Sequence, residues 1–160
     1  MSTIKAERIA YLAGYFEARG FIIARARLAR RLDGAVSRND GFGVSTSGPL
    51  SLIEGLRQVY GGTLLRDRQW RCFGADAARF LAEILPHVVH RREEIEAGLD
   101  FYRSMAAHPR EGSRAVPPAV AAERVRLAAR VAALRDRRKL YAEKREFARQ
   151  VRAGGKESVA

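Results

Sequence analysis

The stretch "YLAGYFEARGFII", Tyr11–Ile23, changes from one hydrophobic periodicity to another at a single glycine. Ile9, Leu12 and Phe16 recur at helical spacing, which predicts a helix over 4–18, stopped by Gly20. Beyond it, "FIIARARLARRLDG" alternates. Ile22, Ala24, Ala26 and Leu28 fall on one face of a strand; Arg25, Arg27 and Arg31 fall on the other, with Ile23 before them. Such a strand packs its small apolar face on helices and presents guanidiniums outward. Within the helix, Ala10, Gly14 and Ala18 stand four residues apart on one face, where another backbone can approach closely. Glycine there costs about 1 kcal/mol relative to alanine. That predicts a tightly packed partner, either an internal helix or the same helix of a second subunit across a two-fold axis.

Working outward, "LDGAVSRNDG" has hairpin chemistry, and "FGVSTS" returns as a strand with Phe42, Val44 and Thr46 on one side. "GPLSLIEGLRQVYGG" reads as a helix, with Pro49 near its start and Gly61-Gly62 as its stop. "TLLRDRQWRCFG" is a shorter hairpin carrying Arg66, Arg68 and Arg71, with Trp70 expected in the sheet core. A helix, a break at Pro86 and another helix follow, then the linker-like "AHPREGSRAVPP". Ala119 to about Val151 is basic and helical, as one helix or a pair.

The expected organisation is a core domain at 1–107, a linker at 108–118, a basic helical segment at 119–153 and a flexible tail at 154–160. The class is α+β, with helices covering one face of an antiparallel sheet. A twisted sheet of two hairpins suits the DNA major groove, so Arg25, Arg27, Arg31, Arg66, Arg68 and Arg71 are the groove-facing candidates.

Composition points the same way. Thirty Lys+Arg against 18 Asp+Glu leave a net charge of +12 in 160 residues, which favours a polyanionic partner. Arginine dominates that excess, and its planar fork suits phosphates and guanine edges. No apolar run approaches a membrane span of about 18–20 residues. Cys72 is alone, which excludes an intrachain disulfide and a cysteine-built zinc site. An intracellular protein with no membrane partner is expected. His87, His90 and Glu94 could share a helical face as a metal trio, but histidines beside a proline break belong more often to a helix start. Val120, Leu127, Leu134, Tyr141 and Ala148 repeat every seven, too thin a seam for a coiled coil.

"LAGYFEARG", Leu12–Gly20, resembles the LAGLIDADG motif of homing endonucleases: Leu12, Ala13, Gly14, Ala18 and Gly20 match. The α-β-β-α-β-β-α order and "CFGADAARFLAEILPHVVHRREEIEAGLDFY" resemble that family over most of the chain, and "VAALRDRRK" resembles the C-terminal region of its single-motif members. The resemblance implies a homodimer joined through Ala10, Ala13, Gly14 and Ala18, forming a saddle on a pseudo-palindromic double-stranded DNA site. It implies divalent-metal cleavage, with Mg²⁺ as cofactor if the chain is active. It also places Thr46 and Arg91 near the scissile phosphates and Arg138 and Lys139 on the DNA backbone.

The motif departs at one position. Arg19 stands where the family carries its metal-binding acid, and a guanidinium has no lone pair to offer Mg²⁺. Glu17 is a substitute ligand in principle, but it lies about 200° further round the helix. The resemblance therefore implies a DNA-binding protein with cleavage lost or impaired, and leaves the enzyme assignment open. Two alternatives stand beside it. One is an active endonuclease, through an unforeseen ligand or as a heterodimer with an acid-bearing subunit. The other is an RNA-binding splicing role.

Overall fold

The change of periodicity at Gly20 is a helix-to-strand junction with no loop between. Helix α1, Ala6–Arg19, runs directly into strand β1, Gly20–Arg30. A Cβ at position 20 would fall inside the van der Waals envelope of the Phe16 ring, so only glycine lets the chain leave the helix while Phe16 stays beneath it. The computed structural model describes residues 6–30, 36–66, 68–109 and 116–154, with side chains described for 7–27, 40–66, 68–109 and 116–137.

After β1 come β2 (Val36–Ser47), α2 (Leu50–Tyr60), β3 (Thr63–Leu65), β4 (Gln69–Phe73) and α3 (Gly74–Ile84). A 3-10 turn at Leu85–His87 precedes α4 (Arg92–Ala107), and α5 spans Pro118–Gly154. The strands form one antiparallel sheet in the order β1-β2-β4-β3. The expected α+β order is the observed one. Gly61 and Gly62 end α2 at φ of 70° and 85°, a left-handed turn suited to glycine.

Residues opposite each other in the register share a face. Ile22, Val44 and Cys72 make one inward row, Ala24 and Phe42 a second, and Thr46, Trp70 and Leu64 a third. These rows meet the helices in a single core cluster. Phe80 of α3 is its hub, meeting Phe16, Tyr60 and Trp70 edge-on at centroid distances of 5.3, 5.1 and 5.4 Å. Such pairs contribute about 0.5–1.5 kcal/mol each beyond their buried area. Trp70 is fully buried as expected, its indole N–H donating to the Gly61 carbonyl at 2.8 Å. No described helix is long and apolar enough to cross a membrane.

One feature departs from the sequence reading. Asn39, Asp40 and Gly41, expected in the turn of the first hairpin, lie inside β2. Local turn chemistry yields there to long-range pairing, because Asp40 is opposite Ala26 on the inward face and its carboxylate meets the Arg124 guanidinium at 2.8 Å. Of the two alternatives for the basic C-terminal segment, the single helix is the observed one, 37 residues and about 55 Å long at 1.5 Å per residue. It is also not separate packing: Leu127 and Val131 belong to the same core cluster as the sheet.

Arg124 fixes that helix. It is 3% exposed, and besides Asp40 it donates to the Ser104 and His108 carbonyls at the C-terminal end of α4. A cation there satisfies orphan carbonyls and complements the helix dipole. Removing Asp40 leaves this buried guanidinium short of its counter-charge. Asp40→Ala is expected to lower unfolding stability by about 3 kcal/mol in urea titration; a loss below about 1 kcal/mol, the range of an exposed pair, would mean the pair is solvent-screened.

Candidate nucleic-acid interface

The sheet face turned away from the helices is built by the same pleat. Starting at the α1 end, its rows are Ser47–Gln69–Leu65, then Phe21–Ser45–Arg71–Thr63, then Ile23–Gly43–Phe73, then Arg25–Gly41 and Arg27–Asn39. No carboxylate stands in these rows, since Asp40 takes the opposite face. Arg25 and Arg27 are exposed, while Ala24 and Ala26 pack inward, as their alternation requires. Arg66 and Arg68 are exposed in the turn joining β3 and β4, where Arg68 holds a φ of 53°. Arg71 is half-buried, and its Nε has no hydrogen-bond partner among the described residues. Arg31 lies outside the described residues. Arg138 and Lys139 lie on α5, with side chains outside the described set.

The outer face is not uniformly polar. Phe21 and Phe73 are 40% and 55% exposed on it. Arg135 of α5 crosses to this edge and lies over the Phe21 ring at 4.7 Å, so α5 contributes a cation to the same surface. Sequence reading missed both aromatics, although Phe73 stands two residues from Arg71 and thus on its face.

The end of α1 resolves the acid and the bases expected there. Glu17 Oε1 accepts hydrogen bonds from the backbone N–H groups of Val89, His90 and Arg91 at 2.9, 2.5 and 3.2 Å. These donors lie just ahead of α4, where the positive end of the helix dipole favours a carboxylate. Arg91 returns the favour. Its Nη1 donates to the Phe16 and Gly20 carbonyls at 2.7 and 2.8 Å, at the negative end of α1. Its Nε and Nη2 form a two-pronged pair with Glu94 at 2.8 and 2.6 Å, and the guanidinium lies 4.9 Å over the Phe16 ring. The side chains of Arg91 and Glu94 are 1% and 4% exposed.

Arg91, which the resemblance places near the scissile phosphates, is enclosed by these contacts within its own chain. Thr46 is 2% exposed on the core face it shares with Phe42 and Val44, as the alternation expects, and its Oγ1 has no hydrogen-bond partner among the described residues. Arg19 is exposed on the last turn of α1. A carboxylate at that place would oppose the helix dipole; a guanidinium complements it. The donor set within one chain does not fit a divalent cation. Arg19 has no lone pair, Glu17 Oε1 already accepts three N–H groups, and the described residues contain no cluster of three His, Cys, Asp or Glu able to hold one.

The small residues of α1 divide. Ala10, Gly14 and Ala18 are exposed, and a Cβ on Gly14 would meet nothing within 4 Å. Ala13, grouped with them from sequence, is fully buried and faces the core. Among the described residues, no packing explains their spacing.

If Glu17 is a cap, its loss acts on folding. Glu17→Ala is expected to lower stability by about 2 kcal/mol in urea unfolding, because three backbone donors lose a charged acceptor, and to leave Mg²⁺ affinity by calorimetry unchanged. Parent-like stability with altered Mg²⁺ binding would instead make Glu17 a ligand.

No family profile matches the sequence, and no curated protein matches it. Solved structures do match. I-CvuI, a homing endonuclease in complex with the I-CreI target, superposes with a TM-score of 0.61 at 19% identity, over 80% of this chain and 82% of that one. The archaeal intron-encoded homing endonuclease I-Vdi141I, complexed with DNA, gives 0.60 at 12% identity, over 80% and 84%. The homing endonuclease I-TnaI gives 0.55 at 10% identity, over 86% and 98%. The likeness is one of fold: the chain has the α+β fold of the homing endonucleases.

Proposed function

We propose that this chain is a double-stranded DNA-binding protein of the homing-endonuclease type, which holds its site as a dimer without cutting it. The observation that carries the reading is the outer sheet face: a surface bearing Arg25, Arg27 and Arg71 with no carboxylate among its described strand positions, backed by a packed layer of helices. Two of the matched structures contain a target or DNA. A strand pair of this kind enters the major groove, where arginine forks meet guanine O6 and N7.

The dimer reading rests on α1. A helix that carries Gly14 with open space above it, flanked by exposed Ala10 and Ala18, is shaped for a backbone from outside the chain. A two-fold axis along that face sets the two Arg19 side chains near the centre of the site. Their repulsion is relieved by DNA phosphates between them, which makes Arg19 a phosphate-holding residue in the place of a metal-holding one. The same repulsion favours a second reading, a heterodimer whose other subunit carries an acid there. Mg²⁺ has no role in the homodimer reading, and an intracellular location follows from a DNA partner.

Selection from a random duplex library, followed by gel-shift titration, tests this. Binding is expected at two chains per duplex, unchanged between EDTA and Mg²⁺. Affinity should fall steeply with salt, by a log–log slope of about −0.9 for each phosphate neutralised. Arg19→Ala should make that slope shallower by up to about two phosphates per dimer. Failure to enrich any duplex, or displacement of the duplex by RNA, would overturn the reading; stable binding only in mixture with a second subunit would favour the heterodimer.

A further inference from the structure

We infer that Phe73 is a base-reading residue, specific for the 5-methyl group of thymine at one fixed place in each half-site. The inference rests on the DNA reading above and adds a determinant to it. An aromatic ring 55% exposed amid arginines calls for an apolar partner that accompanies a polyanion. In the major groove, the apolar group available is the thymine C5-methyl, and phenylalanine is among the side chains that contact it.

Geometry selects Phe73 over its neighbours. Phe21 shares the outer face, but its ring is already covered by the Arg135 guanidinium at 4.7 Å. Ile23, in the same row as Phe73, is only 6% exposed. Between them stands Gly43, and a Cβ there would lie 2.6 Å from Phe73 Cδ1 and 2.6 Å from the Cys72 carbonyl oxygen. The ring therefore lies against bare strand backbone, held in place by the sheet rather than by a mobile loop.

The register also sets the spacing. Successive outward residues on a strand are about 6.6–6.8 Å apart, close to two base-pair rises of 3.4 Å. The Phe73 row lies one outward step nearer the α1 end than Arg25 and two steps nearer than Arg27. On β4 itself Phe73 lies one outward step beyond Arg71, so with α1 at the dyad each half-site should carry the thymine about two base pairs outside the pair read by Arg71.

The test uses the duplex selected by the full-length chain. Replacing thymine by deoxyuridine at that one position in both half-sites removes the methyl and leaves every hydrogen-bonding edge intact. Affinity is expected to fall about three- to ten-fold per half-site, the scale of one buried methyl, while deoxyuridine at flanking positions changes little. Placing 5-methylcytosine rather than cytosine there should raise affinity by a similar factor. Phe73→Ala, with folding verified by circular dichroism, should bind both members of each pair equally. A duplex bound two-to-one with a steep salt slope but indifferent to the methyl overturns this inference alone. Failure to enrich any duplex overturns the DNA reading and this inference with it.

Discussion

Two helix ends exchange caps beneath the sheet. α1 sends Glu17 to the start of α4, and α4 sends Arg91 back to the carbonyls that end α1. Each charge meets the dipole end of opposite sign, and Glu94 neutralises the guanidinium in a fork that excludes water. Hydrogen bonds to charged groups are worth about 1.5–3 kcal/mol when made and more when orphaned in a buried place. The exchange fixes the direction in which the chain leaves α1. Because β1 starts at the next residue, it also fixes which way every later strand residue points. The arginine face exists because this junction is rigid. A one-residue slip would turn Arg25 and Arg27 into the core.

The same junction separates roles that sequence alone merges. The last turn of α1 bears two charged residues, Glu17 and Arg19, in a place where the dipole favours cations. Glu17 is tolerated because it reaches another helix's positive end. Arg19 needs no such partner and stays exposed, free to face an anion. Arg124 repeats the logic at the far end of α4, where it caps carbonyls and meets Asp40. Two buried arginines thus close two helix C-termini. The arginines left outside are those whose charge is available to a ligand, so net charge overstates the binding surface while the register defines it.

Much of this was readable from the chain, because the decisive signals were local. The shift in period at Gly20, the alternation through Arg25 and Arg27, Pro49 before α2 and Gly61-Gly62 after it depend on neighbours in sequence. What escaped depended on distance. Arg91 and Gly20 are 71 residues apart, and Arg124 and Asp40 are 84, so nothing local reveals that either guanidinium is buried. Alternation alone puts Thr46 on the side of Phe42 and Val44, but that it lies opposite Trp70 follows only from the register. Ala13 differs from Ala10 and Gly14 only by its place round the helix, and that is decided by what packs on α1. Phe73 shares a strand face with Arg71, but that its ring lies against Gly43, a residue on another strand, follows only from the register.

We propose that the homing-endonuclease fold serves here to hold DNA, with α1 ending in an arginine that meets phosphate. Incubating the purified chain with its selected duplex in Mg²⁺, and resolving both strands on a denaturing gel, tests this most directly. The account predicts full-length strands at every time point, with the duplex still bound. Nicks or breaks at fixed positions, appearing with Mg²⁺ and absent in EDTA, would contradict it and require an acid beyond Glu17 to hold the metal.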